Sequence, residues 1–113
     1  MIHPMSLEDI TAIELRERIA AGQSSSVEAT RLVLDRIERL DSIVGAFIAT
    51  LGEEALKWAQ DVDRRIAAGE PVGALAGVPV AVKDNMCMRS GATTCGSRIL
   101  GNFHAPYLSL IHI

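Results

Sequence analysis

Residues 75–86, LAGVPVAVKDNM, constrain this chain more than any other stretch. GVPVAV reads as a buried strand, apolar on both faces, of the kind found in parallel sheets covered by helices. Such a strand exposes its edges unless neighbours pair with it. Yet the segment ends on Lys83 and Asp84, and a buried lysine is costly unless it is paired or put to chemical use. In an extended chain Val78, Val80 and Val82 face one way and Pro79, Ala81 and Lys83 the other. The small Ala81 leaves room beside the lysine. Lys83 then sits at the carboxyl end of the strand, where open α/β sheets bind ligands. The same spacing also fits a lysine that snorkels from a strand end into water, and spacing alone leaves both readings open.

The chain before this segment reads as helices. TAIE, residues 11–14, is a capping box, in which the Thr11 hydroxyl and the Glu14 carboxylate satisfy free amides at a helix start. Ala12, Leu15 and Ile19 follow on one face, and Gly22 ends the run. SSVE, residues 25–28, is a second capping box. Behind it Ala29, Val33, Ile37 and Leu40 keep helical spacing, with Asp35 and Arg39 as an exposed pair four apart. VGAFIAT is short, apolar and partly β-branched, which predicts a strand over 46–49. A third helix is predicted from about Glu53, with Ala55, Ala59, Val62 and Ile66 as its inner stripe. Asp63, Arg64 and Arg65 lie mostly off that stripe, and Gly69 is the stop.

At Pro71 the composition shifts. From there on the only acidic residue is Asp84, glycine is frequent and the helical period is lost. RSGATTCGS reads as a loop of small residues, and SRIL as the start of a short helix. The net charge of −3 gives no general basic footprint for nucleic acid. No apolar run is long enough for a signal peptide or a membrane span, so a cytoplasmic protein is expected. Cys87 and Cys95, eight apart, match neither a CxxC redox pair nor a zinc half-site and read as free thiols. His3, His104 and His112 share no metal-ligand spacing and take no role.

The loop GATTCGS places Thr93, Thr94 and Ser97 and two glycines just after the lysine. By itself it is a polar loop with turn residues. Taken together, GALAGVPVAVKDN followed by GATTCGSRIL resembles the start of the amidase signature family. Within it, the resemblance is to the A subunits of the glutamyl-tRNA(Gln)/aspartyl-tRNA(Asn) amidotransferases. The helical lead-in resembles them as well, and the likeness runs from about Ser6 to Tyr107.

The resemblance implies an α/β fold, the N-terminal portion of the amidase signature fold, with helices packed on a mixed central sheet. Residues 1–70 would be a helical lead-in with one short strand, and residues 71–107 the start of the amidase signature core. Residues 108–113, LSLIHI, depart from the family pattern and would be a non-native tail, the natural chain continuing with an aspartate after Tyr107. Members hydrolyse amides with a serine nucleophile, a second serine in a cis peptide and a lysine. By motif position that lysine is Lys83, a catalytic residue. A lysine acts as a base only when neutral, and burial favours the neutral form. Lys83 would take a proton from the bridging serine, which takes one from the nucleophile, and water would resolve the acyl-enzyme. Both serines lie downstream of Ile113 in the family. Ser90, Ser97 and Ser109 do not occupy their positions, so the fragment alone would be inactive.

For the amidotransferase the resemblance implies glutamine as substrate, with B and C subunits for partners. The B subunit uses the ammonia, with ATP and Mg, to amidate glutamate or aspartate esterified to tRNA. The small C subunit braces the assembly, and this chain itself needs no cofactor or metal. A second reading keeps the fold but makes the chain a fragment of another amidase acting on a small amide. A third, from a different class, is a non-enzymatic module with helices as its interaction surface. That module needs a self-contained core, whereas the Val-rich strand needs neighbours the chain does not supply.

Overall fold

The computed structural model describes Ser6 and residues 8–104. The expected foreign tail at 108–113 lies outside the described residues. The chain divides into two compact units, Met1–Ala46 with Leu51–Pro79, and Phe47–Thr50 with Val80–Ile113.

The first unit holds three helices, α1 Ala12–Ala20, α2 Ser26–Val44 and α3 Gly52–Ala67. The first capping box forms at the start of α1. Thr11 Oγ1 accepts the Glu14 N–H at 3.2 Å, and the Glu14 carboxylate accepts the Thr11 N–H at 2.8 Å. At α2 only half of the expected second capping box forms: the Ser25 hydroxyl accepts the Glu28 N–H at 3.0 Å, but the Glu28 carboxylate does not return to the Ser25 N–H. Helices α1 and α3 end alike. Gly22 and Gly69 take positive φ, +74° and +72°. The residue after each donates back into the last turn, Gln23 to the Arg18 carbonyl and Glu70 to the Arg65 carbonyl, both at 2.9 Å. This is the Schellman closure, which uses carbonyls that a helix end leaves unpaired. Asp35 and Arg39 pair at 3.0 Å on the exposed face of α2.

The core of this unit is small. Leu15 and Ile19 of α1 meet Ala29 of α2, and Ile10, Ile66 and Val78 pack around them. Helix α2 also packs along α3, where Ala59 is buried and Ala55, Val62 and Ile66 are half-buried. The expected stripe of α2 is buried only at its start. Ala29 is enclosed, Val33 and Ile37 are half-buried and Leu40 is exposed.

Three polar contacts tie these elements together. Asp63 of α3 accepts the backbone N–H groups of Ser26 and Val27, at 2.7 and 3.0 Å. It thereby serves as a second N-terminal cap for α2, beside Ser25. The buried Ser26 hydroxyl donates to the Gly77 carbonyl at 3.0 Å. Gly77 has φ +85°, and a Cβ there would lie 3.1 Å from Ser26 Cβ and 3.2 Å from Ile19 Cδ1. Glycine is needed at 77 both for the backbone angle and for the close approach.

The strands are the point of correction. Among the described residues there is none, so neither the strand over 46–49 nor the one over 78–83 is formed. The mixed central sheet, with helices on it, is not formed among these residues either. Residues 46–49 are irregular and exposed, and Val80 and Val82 are exposed as well. A strand gains its ladder of hydrogen bonds from another strand, and the described residues supply no second one. SRIL forms turns rather than a helix, with Gly101 N–H to the Arg98 carbonyl and Phe103 N–H to the Leu100 carbonyl.

Candidate active site

Lys83 belongs to the second unit, in its Val80-to-His104 stretch. It is exposed rather than buried. The burial expected of a strand-end lysine is therefore not supplied by these residues, because the apolar strand that would enclose it is not formed. Lys83 opens a tight turn instead. Its carbonyl accepts the Met86 N–H at 3.0 Å, with Asp84 and Asn85 between them.

Asp84 organises the hydroxyl-rich loop. Its carboxylate accepts the Thr94 N–H at 3.0 Å, the Thr94 hydroxyl, and the Gly96 N–H at 3.4 Å. Its own carbonyl accepts the Cys95 N–H at 3.1 Å. The Thr94 hydroxyl hydrogen bond above all, then the Thr94 N–H, holds the Asp84 carboxyl below the usual aspartate range.

The gripped segment is a turn. Ser97 N–H reaches the Thr94 carbonyl at 2.8 Å. The central residues Cys95 and Gly96 have φ +51° and +70°, the signature of a type I′ turn. A cysteine at positive φ is held there at a conformational cost of about 1 kcal/mol or more. Thr93, just before the turn, is buried. Its N–H donates to the Phe103 carbonyl at 2.9 Å, and its hydroxyl makes a longer contact, 3.4 Å, to the Met86 carbonyl. The KDN turn and the TTCGS loop are thus fastened to each other immediately after Lys83.

The sequence places the hydroxyl-rich loop after the lysine and puts Asp84 on the face opposite Lys83 as a residue to hold that loop, without saying which donors it takes. The only acidic residue beyond Pro71 was the available signal, since a lone carboxylate among glycines and threonines has amide and hydroxyl donors around it. Thr94 and Asp84 come together, Thr93 bonds instead to the Phe103 and Met86 carbonyls, and Ser97 joins through its backbone. Cys87 and Cys95 are not joined in a disulfide.

The amidase family profile matches residues 28–111. This chain belongs to the amidase family. Among curated relatives it is 55% identical, over 103 residues, to the A subunit of the glutamyl-tRNA(Gln) amidotransferase of Geobacter sp. (strain M21), covering 91% of this chain and 21% of that protein. It is 51% identical over 98 residues to the corresponding A subunit from Gloeobacter violaceus, covering 87% of this chain and 20% of that protein. The amidase chain described here therefore spans about a fifth of the length of the curated relatives it matches. Its fold matches a chain of the solved structure "An unexpected vestigial protein complex reveals the evolutionary origins of an s-triazine catabolic enzyme", with TM-score 0.80 and 31% identity, over 88% of this chain and 22% of that one. The amidase-like arrangement is thus shared by these residues, in helices and turns. Among the described residues no helix is long and apolar enough to cross a membrane.

Proposed function

We propose that the chain is the leading part of a glutamine-hydrolysing amidotransferase subunit, with Lys83 as its proton-transfer lysine. The observation that carries this reading is the 55% identity to the A subunit of a glutamyl-tRNA(Gln) amidotransferase across nearly the whole chain. On this reading residues 71–107 begin the amidase core, and the rest of the protein covers Lys83. The exposed apolar side chains at Val80, Val82 and Ile99 support a surface that is covered when the protein is whole.

The chemistry follows from the family's serine, bridging serine and lysine. Lys83 takes the proton of the bridging serine, which takes that of the nucleophile. The nucleophile attacks the glutamine amide, ammonia leaves, and water releases glutamate from the acyl-enzyme. The ammonia passes to a B subunit, which uses ATP and Mg to amidate the misacylated tRNA, while a C subunit braces the complex in the cytoplasm. Because the chain carries neither serine at its motif position, it hydrolyses no glutamine by itself.

The competing reading, an amidase acting on a small amide, draws on the structural neighbour, whose 31% identity is well below 55%. Glutamine and a panel of small amides offered to the full-length protein, with and without its partners, separate the two. The test of Lys83 is Lys83→Ala and Lys83→Arg in the full-length protein, with circular dichroism to confirm folding. Both should lose roughly 100- to 10,000-fold in hydrolysis, since alanine removes the base and guanidinium stays charged. Near-normal activity in Lys83→Arg would make Lys83 a structural cation.

A further inference from the structure

We propose that Asp84 is a positioning residue: by gripping Thr94 and Gly96 it fixes the turn from which the Lys83 side chain departs. The proposal rests on the reading of Lys83 as the proton-transfer lysine and adds to it the device that aims it.

Four hydrogen bonds converge on Asp84. Three reach its carboxylate, from the Thr94 N–H, the Thr94 hydroxyl and the Gly96 N–H. One reaches its carbonyl, from Cys95. All come from a single turn whose own hydrogen bond, Ser97 N–H to the Thr94 carbonyl, makes it a defined unit. Asp84 is also the second residue of the tight turn that begins at Lys83 and closes at Met86. Fixing Asp84 from both its side chain and its backbone leaves the preceding peptide little freedom, and with it the Cα–Cβ direction of Lys83. Lys83 itself is exposed, and its own backbone bond is the one its carbonyl accepts from the Met86 N–H.

The grip needs a carboxylate. Every partner around it is a donor, and a carboxylate accepts with both oxygens. Asparagine has one acceptor oxygen and an NH2 group, which would face an N–H that cannot accept. The hydroxyl of Thr94 can turn to accept from that NH2, but the Gly96 N–H cannot, and it keeps only its nearer acceptor, Thr94 Oγ1, at 3.2 Å. The positive φ of Cys95 fits the same account. A non-glycine residue stays in that region when its surroundings over-determine it, and Asp84 supplies bonds to the residues on either side as well as to Cys95 itself.

The test compares Asp84→Asn, Thr94→Val and Thr94→Ser in the full-length protein with its partners, with Lys83→Arg run beside them. kcat and KM for glutamine, the pH profile of kcat/KM and the unfolding midpoint are measured for each. Misplacement of a reacting group by about 1 Å can cost on the order of 100-fold. Asp84→Asn and Thr94→Val should lower kcat by roughly 10- to 100-fold with KM little changed, and should move the limb of the pH profile that reports the base. Thr94→Ser, which keeps the hydroxyl, should recover most of the Thr94→Val loss. If Lys83→Arg is inactive while Asp84→Asn and Thr94→Val keep kcat within about twofold, the positioning role is wrong and the lysine assignment stands. If Lys83→Arg stays active, the lysine reading itself fails. A Thr94→Val protein whose lost activity tracks only a lost fold, with the pH profile unmoved, also overturns the proposal, because the grip is then purely structural.

Discussion

Asp63 of α3 accepts the N–H of Ser26, the first residue of α2, at 2.7 Å, across 37 residues of sequence. The same carboxylate takes the Val27 N–H, so one helix caps another. Residues at helix starts carry amides with no partner inside the helix, and Ser26 is buried away from water. Asp63→Ala should therefore cost about 1–2 kcal/mol of stability. Asp63→Asn should cost less, because its one amide oxygen still serves one of the two amides. Urea unfolding followed by far-UV circular dichroism measures the loss. Faster hydrogen exchange at the Ser26 and Val27 amides places it; unchanged exchange there would show that the cap contributes nothing.

At Gly77 the turn before Val78 comes close to the helices. A methyl group at 77 meets Ser26 Cβ and Ile19 Cδ1, and it must do so at φ +85°. Gly77→Ala should destabilise the helical unit by about 1–3 kcal/mol. Trimming the neighbour, as in Ile19→Val combined with Gly77→Ala, should not restore stability, since the backbone angle remains. A thermal midpoint equal to the parent's in the single variant would contradict this.

The capping box at α1 gives a local prediction. Thr11→Ala removes the acceptor of the Glu14 N–H. Exchange of that amide should accelerate by about fivefold, with α2 and α3 amides unaffected. Uniform acceleration across all three helices would mean that α1 does not open separately.

Asp84 sets a pH dependence. Its folded carboxyl lies below the ordinary value of 3.8, held down first by the Thr94 hydroxyl and next by the Thr94 N–H. A depressed carboxyl contributes its stabilisation in full above the unfolded value and loses it as pH falls through the folded one. The Thr94 and Gly96 amide resonances should thus hold steady down to about the ordinary aspartate range and shift together below it. A common midpoint at or above the ordinary value would show that the grip is absent in solution. Asp84→Asn should abolish the transition.

What the amino-acid sequence determined was the set of local features. The capping box at Thr11, the serine cap at Ser25, the glycine stops at 22 and 69 and the inner stripe of α3 are legible because they depend on bonds and spacings that span only a turn or so of helix. The KDN and TTCGS motifs were legible too. The tertiary structure alone decided the rest. Asp63 looked like one more charge off the apolar stripe until folding set it at the start of α2. Asp84 acquired its role from a turn ten to twelve residues further on. The apolar runs at 46–49 and 78–83 carry strand composition, yet no strand forms among the described residues. A helix satisfies its backbone from within its own segment, so its sequence is nearly sufficient. A strand depends on hydrogen bonds from another segment, and apolar composition alone does not supply that partner.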